Sequence, residues 1–253
     1  METLTGIHPS EIIPMEGGRL ASLADLLEIE MQTINLSDYR TAKLKERRLW
    51  IERLWQWADQ FDIKEYNVPR NEDELINLTH LSFQGIDYYF RKHRFTKLPK
   101  EIGNLTKLKF LELGHVVNWD VFLNNLTELP KEIGKLTELT RLYIQTNNLS
   151  ELPSEIGSLT QLKELKLGAN RLTGLPKEIG NLRQLEILTM WQNHITELPP
   201  EIGNLKQLKG FSIWGNPLKE LPPEIVNLTE LKELELGRNL RLSTSQKEWI
   251  NEL

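Results

Sequence analysis

The chain contains no cysteine, which excludes disulfide frameworks, thiolate nucleophiles and cysteine–zinc sites together. Long apolar runs are missing too. No stretch approaches the roughly 20 residues that span a bilayer, and Met1 to Ser10 lacks the basic segment and apolar core of a secretory signal. Positive charge is not in excess: 31 Lys and Arg stand against 36 Asp and Glu, a net charge of −5. That balance argues against a dedicated nucleic-acid binder, whose affinity comes largely from neutralising phosphates. These absences predict a protein without a membrane partner, either cytoplasmic or delivered into a host cytosol without a signal peptide. Catalytic signatures are equally scarce. His8, His80, His93, His115 and His194 show no H-E-x-x-H or comparable metal-ligand spacing, and no G-x-S-x-G elbow or phosphate-binding glycine loop occurs. His115 near Glu112 and Asp120 is the single acid–base-like grouping and reads as a surface polar cluster. No enzyme activity, metal or cofactor is expected.

What is present is a repeat. The phrase L-P-x-E-I recurs at Leu98, Leu129, Leu152, Leu175, Leu198 and Leu221; the first interval is 31 residues and the others are 23. A unit this short cannot bury its own apolar side and must stack on copies of itself. Within one copy Leu142 and Ile144 alternate on one strand face, and Asn147 follows at the bend. Asparagine both donates and accepts hydrogen bonds. The column Asn124, Asn147, Asn170, Asn193, Asn216 and Asn239 therefore serves backbone groups where the chain turns. Pro153, Glu155, Ile156 and Gly157 mark a short return segment, with proline presetting the first turn and glycine allowing an abrupt end. That glycine column, Gly103, Gly134, Gly157, Gly180 and Gly203, is broken by Val226, which is expected to pack under a terminal cap. Six aligned carboxylates, Glu101, Glu132, Glu155, Glu178, Glu201 and Glu224, read as a solvated outer face. Asn-x-Ser/Thr triplets at Asn77, Asn104, Asn125 and Asn227 fall on repeat positions and are coincidental.

From Leu136 the copy reads L-x-x-L-x-x-L-x-I-x-x-N-x-L-x-x-L-P, through Leu139, Leu142, Ile144, Asn147, Leu149, Leu152 and Pro153. This closely resembles the leucine-rich repeat family over roughly residues 75 to 242, in the 23-residue variety of bacterial effectors and of Ras-suppressor and Scribble-like adaptors. The resemblance implies an α/β right-handed solenoid, or horseshoe, with a parallel concave sheet, a helical or 3₁₀ convex side and an N-terminal α-helical cap. It also implies protein recognition on the concave face. Bacterial ubiquitin ligases of similar order carry a separate cysteine-based catalytic domain, for which this chain has neither space nor cysteine.

The flanks are expected to close the stack, because an uncovered first or last coil exposes apolar side chains and unpaired strand groups. Residues 1–74 form an N-terminal helical region and cap, residues 75–242 about seven coils with inserts near 85–94 and 115–123, and residues 243–253 a C-terminal cap. Leu20, Leu23, Leu27, Met31 and Ile34 recur at helical spacing, as do Leu44, Ile51, Leu54, Trp55 and Ala58. These place helices over 20–34 and about 38–60, with Trp50, Trp55 and Trp57 as core. Asn71 and Glu74 open a short helix, and Ser245 with Glu248 caps a terminal turn before Trp249, Ile250 and Leu253.

Reading the residues around each Leu-x-Leu pair gives the outward face. Phe110, Tyr143, Trp191 and Trp214 point away from the core, where the scaffold does not require aromatics. Trp191 and Trp214 occupy one register position on adjacent coils, about 4.8 Å apart, so their rings should stack. Exposed aromatic clusters are enriched where partners dock. The two inserts add seven and eight residues to adjacent coils. One carries Tyr88, Tyr89 and Phe90 with Arg91, Lys92 and Arg94; the other carries Val116, Val117, Trp119, Val121 and Phe122. They leave from one edge, as a satellite core or as binding loops on a rigid scaffold. The concave floor alone offers about 450 Å², short of the about 800 Å² per partner of a stable interface.

The expected function is a non-catalytic protein–protein interaction module, monomeric, acting as a bacterial effector, inhibitor or adaptor. Its partner-binding residues are Tyr88, Tyr89, Phe110, Glu112, His115, Trp119, Arg141, Tyr143, Trp191, Gln192 and Trp214. Two alternatives remain at this point: single-stranded nucleic-acid or other ligand binding through the basic–aromatic insert, and a structural or decoy repeat protein without a single partner.

Overall fold

The computed structural model describes residues 36–65, 67–83, 95–117, 120–122, 125–237 and 240–253. The first insert's core, Gln84 to Arg94, lies outside them, with Trp119, Asn124 and Asn239, as does the helix expected over 20–34. The chain divides into two compact units, residues 1–49 and 50–253. Of the first, the described part is the opening half of helix α1 (Leu36–Gln60). The apolar spacing seen in the sequence does not bury Leu44, which is exposed there, whereas Ile51, Leu54 and Ala58 in the second unit are buried.

The second unit is a solenoid. After helix α2 (Glu72–Ile76) come strands β1 (His80–Ser82), β2 (Phe110–Val117), β3 (Asp120–Phe122), β4 (Arg141–Ile144), β5 (Glu164–Lys166), β6 (Ile187–Thr189), β7 (Gly210–Ser212) and β8 (Glu233–Glu235). Helix α3 (Thr244–Asn251) ends the order. Seven strands pair in parallel as β1-β2-β4-β5-β6-β7-β8, and β3 pairs antiparallel with β2. The second insert is thus partly a β-hairpin rather than a plain loop, with Val116 opposite Val121.

The inner coils bury the repeat's apolar positions, while in the last coil Leu234 and Leu236 are only partly buried. In the coil of β4, Leu139, Leu142, Ile144, Leu149, Ile156 and Leu159 are all fully buried. The return segments are 3₁₀ turns, as at Ser154–Ser158. Proline's role differs from the expected one. Pro153 caps the turn in extended conformation, ψ 146°, and its carbonyl accepts from Ile156 N at 3.0 Å. Glycine's reason differs too. A Cβ on Gly157 would lie 2.6 Å from Glu178 O of the next coil, so glycine is needed for close stacking rather than for ending a turn. The last coil has no such neighbour, which is why Val226 is admitted there, partly buried against the core.

Asparagine does what its chemistry predicts. Asn193 Oδ1 accepts from Leu172 N at 2.9 Å while its Nδ2 donates to Leu167 O at 3.0 Å and Met190 O at 3.1 Å. Asn147, Asn170 and Asn216 repeat the pattern. The residue before each, Thr146, Ala169, Gln192 and Gly215, has positive φ between 49° and 75°. This left-handed turn aims the following amide inward, and only one of the four is glycine.

Both ends of the stack are covered. Trp57 packs edge-on against Phe83 and Phe95, with centroids 6.0 and 5.2 Å away, and its Nε1 donates to Lys97 O. Trp50 and Trp55 pack against the same core. Asn67 Nδ2 donates to Ser82 O on the edge strand β1 at 2.5 Å. Asn71 caps α2 through Glu74 N. Glu101 departs from the solvated outer face: it is buried and paired with Arg53 at 3.4 Å. At the other end the cap is Ser243 with Gln246, two residues earlier than the Ser245–Glu248 pair. The reason is tertiary. Gln246 Nε2 also donates to Leu221 O and Pro222 O of the last coil, which Glu248 cannot do as an ionised acceptor.

Candidate functional site

The outward face of the sheet carries three columns of side chains, set by strand register. The first is His80, Phe110, Arg141, Glu164, Ile187, Gly210, Glu233; the second is Ser82, Glu112, Tyr143, Lys166, Thr189, Ser212, Glu235. The third, just past the regular strands, includes Gly168, Trp191 and Trp214. Its alignment is held by Ala169 N donating to Trp191 O at 2.8 Å and Gln192 N to Trp214 O at 2.9 Å.

Over the N-terminal coils these groups engage one another. His80, Phe110 and Tyr143 meet edge to face, with centroids 6.1 and 5.1 Å apart along the series. Arg141 lies 4.9 Å over the Phe110 ring, and Lys166 lies 4.2 Å over the Tyr143 ring. The Tyr143 hydroxyl donates to Glu164, whose carboxylate is also 3.8 Å from Lys166 Nζ. Burial, then the Glu164 hydrogen bond and charge, push the Tyr143 phenol well above its ordinary value. Glu112 is buried and accepts from Ser82 Oγ at 2.5 Å. It keeps its place opposite Tyr143 on the outward column, with a register shift only after it, between Glu112 and Gly114, where a Cβ on Gly114 would stand 2.0 Å from Gln145 O. Sequence alternation gave no sign of this burial, because Glu112 occupies an outward position.

The C-terminal coils differ. Trp191 and Trp214 stack with rings 7° from parallel and centroids 5.5 Å apart. Trp191 is half-buried and Trp214 is 38% exposed. Gln192, in its left-handed turn, is exposed beside them. Glu233 and Glu235 are exposed, with Glu235 accepting from Ser212 Oγ at 2.6 Å.

The structure therefore brings Phe110, Glu112, Arg141 and Tyr143 into one network and Trp191, Gln192 and Trp214 into a second group. His115 lies on β2, its backbone paired with Phe122; Tyr88, Tyr89 and Trp119 are outside the described residues. Sequence reasoning did not nominate Lys166, Glu164, Glu233 or Glu235. Their place in the register was readable, but their contacts were not. Among the described residues no His, Asp or Glu group is arranged to hold a metal ion, and no helix is long and apolar enough to cross a membrane.

Comparison with known proteins agrees with this geometry. None of the curated proteins matches the chain. Among solved structures, a leucine-rich repeat protein of Leptospira interrogans is 32% identical over 74% of this chain and 56% of its own, with a TM-score of 0.53. The plant peptide hormone receptor RGFR1, solved with RGF2, is 34% identical over 64% of this chain and 25% of its own, TM-score 0.52. PEPR1, solved with AtPEP1, is 27% identical over 70% of this chain and 23% of its own, TM-score 0.56. The chain thus spans about half the length of the Leptospira interrogans protein and about a quarter of RGFR1 and of PEPR1. A leucine-rich repeat region model matches residues 61–170, 120–193 and 175–253. With the asparagine ladder, the 3₁₀ returns and the parallel sheet all in the same 23-residue register, the chain belongs to the leucine-rich repeat family.

Proposed function

We propose that this protein is a non-catalytic recognition module that binds a partner protein through the outward face of its sheet, using the Trp191–Trp214 stack as anchor. Leucine-rich repeat proteins generally mediate protein–protein interaction, and the plant peptide hormone receptor RGFR1 was solved in complex with RGF2. The observation that carries the reading is the stack itself. Trp214 leaves 38% of its surface in solvent, yet its ring is held rigidly by Trp191 beneath it. A pre-ordered aromatic loses little conformational entropy on docking, which is the usual character of a binding hot spot. An effector, inhibitor or adaptor role fits such a module. Residues 1–74 and 243–253 act in this reading as caps of the 75–242 solenoid, and the inserts extend the docking area.

The test is affinity capture with the full chain against a Trp191→Ala/Trp214→Ala variant whose thermal unfolding stays cooperative. The expected result is a stoichiometric protein partner retained by the wild type and lost, or weakened about 100-fold, with the variant. Equal retention by both proteins overturns the reading. A captured nucleic acid whose affinity falls steeply with salt overturns it in favour of the basic–aromatic insert.

A further inference from the structure

Away from the sheet face, the repeat departs from its own pattern at the edge where the chain enters the strands. The segments 160–163, 183–186, 206–209 and 229–232 stand immediately before β5, β6, β7 and β8. Thr160 and Thr229 open the outer two, as Thr106 and Thr137 open the corresponding segments of earlier coils. In the two middle coils the same position holds Arg183 and Lys206, so two cations stand one coil apart, about 4.8 Å between backbones. The scaffold does not require them, because threonine serves in four other copies. Like charges on neighbouring coils also repel.

Between them the surface is hollow. A cleft of about 430 Å³ is lined by Arg183, Asn204, Lys206 and Gln207, all exposed, each a hydrogen-bond donor and none a carboxylate. The Asn204 amide nitrogen leans toward the coil of Arg183, 3.1 Å from where a Cβ on Gly180 would stand. Lys206 Nζ donates to Asn227 O at 3.0 Å, which holds the ammonium in place and leaves it two further donors. Among the described residues Arg183 forms no ion pair. Glu186, the acid of its own segment, is already held by Lys209 at 2.7 Å and Lys163 at 3.9 Å. The four segments together carry five cations, Lys163, Arg183, Lys206, Lys209 and Lys232, against Glu186 and Glu230, within a chain whose net charge is −5.

We infer that this cleft binds a phosphate monoester, with the Arg183 guanidinium and the Lys206 ammonium on the phosphate oxygens and the Asn204 and Gln207 amides completing the donor set. A monoester carries about −1.5 to −2 charges at neutral pH and three acceptor oxygens, which matches two cations and two amides. A carboxylate, with one charge and two oxygens, is satisfied by the arginine fork alone. The cleft has room beyond the headgroup for the alcohol that carries it. That carrier is a free sugar or a side chain of a protein partner, and the headgroup chemistry is the same for both. The site lies apart from the sheet face and does not rest on that reading.

The experiment is calorimetric titration of the full chain with inorganic phosphate, ribose phosphate, a phosphoserine peptide and the same peptide unphosphorylated. Arg183→Thr and Lys206→Thr restore the residue of the other coils and so keep the fold. Arg171→Thr makes the same charge change at the opposite edge, after the strand. The expected result is saturable binding of at least one ester with a Kd of about 1 mM or tighter. Arg183→Thr and Lys206→Thr should each weaken it about tenfold, and Arg171→Thr should leave it unchanged. Tighter binding of ribose phosphate assigns the cleft to a free sugar phosphate, and tighter binding of the phosphoserine peptide assigns it to a modified partner; both support the monoester. Neither ester reaching that affinity, inorganic phosphate or the unphosphorylated peptide binding as tightly as the esters, indifference to Arg183→Thr or to Lys206→Thr, or an equal loss in Arg171→Thr each overturns the inference. The Trp191→Ala/Trp214→Ala variant should bind the ester as the wild type does, so failure of the cleft and failure of the sheet-face reading are separate results.

Discussion

The two halves of the sheet face share one backbone and differ in how their side chains are used. On coils β1 to β5 the described aromatic and charged groups of the face engage one another: Lys166 covers Tyr143, Arg141 covers Phe110, and Glu164 takes the Tyr143 hydroxyl. On coils β6 to β8 a stacked indole pair ends in solvent beside two exposed carboxylates. The difference teaches that exposure along a repeat is decided by residue volume one coil away. Where Lys166 sits over a ring, Tyr143 is buried; where Gly237 stands one period after Trp214, the indole is 38% exposed.

The largest effect expected from breaking this contrast comes from the two glycines that flank the tryptophans. Gly168→Val forces Trp191 off its floor and should destabilise the fold by about 1–3 kcal/mol, with loss of the near-ultraviolet dichroism of the indole pair. Gly237→Val should leave urea unfolding within about 0.5 kcal/mol of wild type, since among the described residues no atom lies closer than 4.0 Å to a Cβ placed there. Equal losses from both would mean that the two positions are not distinguished by packing.

A smaller effect is expected from the closed half. Because burial and Glu164 raise the folded phenol's pKa, Tyr143 contributes stability that is fully present below its unfolded value near 10 and is lost as pH climbs from there toward the folded pKa. Wild type should therefore lose stability between about pH 10 and 12 faster than Tyr143→Phe, measured by denaturant titration. At neutral pH the same variant should cost about 1 kcal/mol for the lost hydrogen bond. Identical alkaline profiles would contradict the buried pair.

The smallest effect concerns the open half. Glu233→Gln and Glu235→Gln should change thermal unfolding by no more than about 0.5 kcal/mol, because both side chains are exposed. A marked destabilisation would show that they serve the fold rather than a partner.

Much of this was readable in the residues, and the reasons are local. The 23-residue period put Asn147, Asn170, Asn193 and Asn216 in one column and Trp191 on Trp214, because in a stacked coil equal sequence position means spatial adjacency. Readings failed where two segments far apart in sequence compete for a role. Ser243–Gln246 and Ser245–Glu248 are both plausible caps for α3, and only the last coil's carbonyls select the first. Glu112 has an outward position by alternation, yet it is buried among its neighbours on that face and takes a hydrogen bond from Ser82. Leu44 has helical apolar spacing but is exposed.

By itself, the sequence determined the family, the stacking axis and the identity of every group on the sheet face, since a parallel repeat converts spacing directly into register. Tertiary structure alone decided which of those groups are occupied and which are open. Whether Tyr143 is closed and Trp214 open depends on the side chain supplied by the following coil, Lys166 in one case and Gly237 in the other, and on how far each reaches across a gap set by backbone hydrogen bonds.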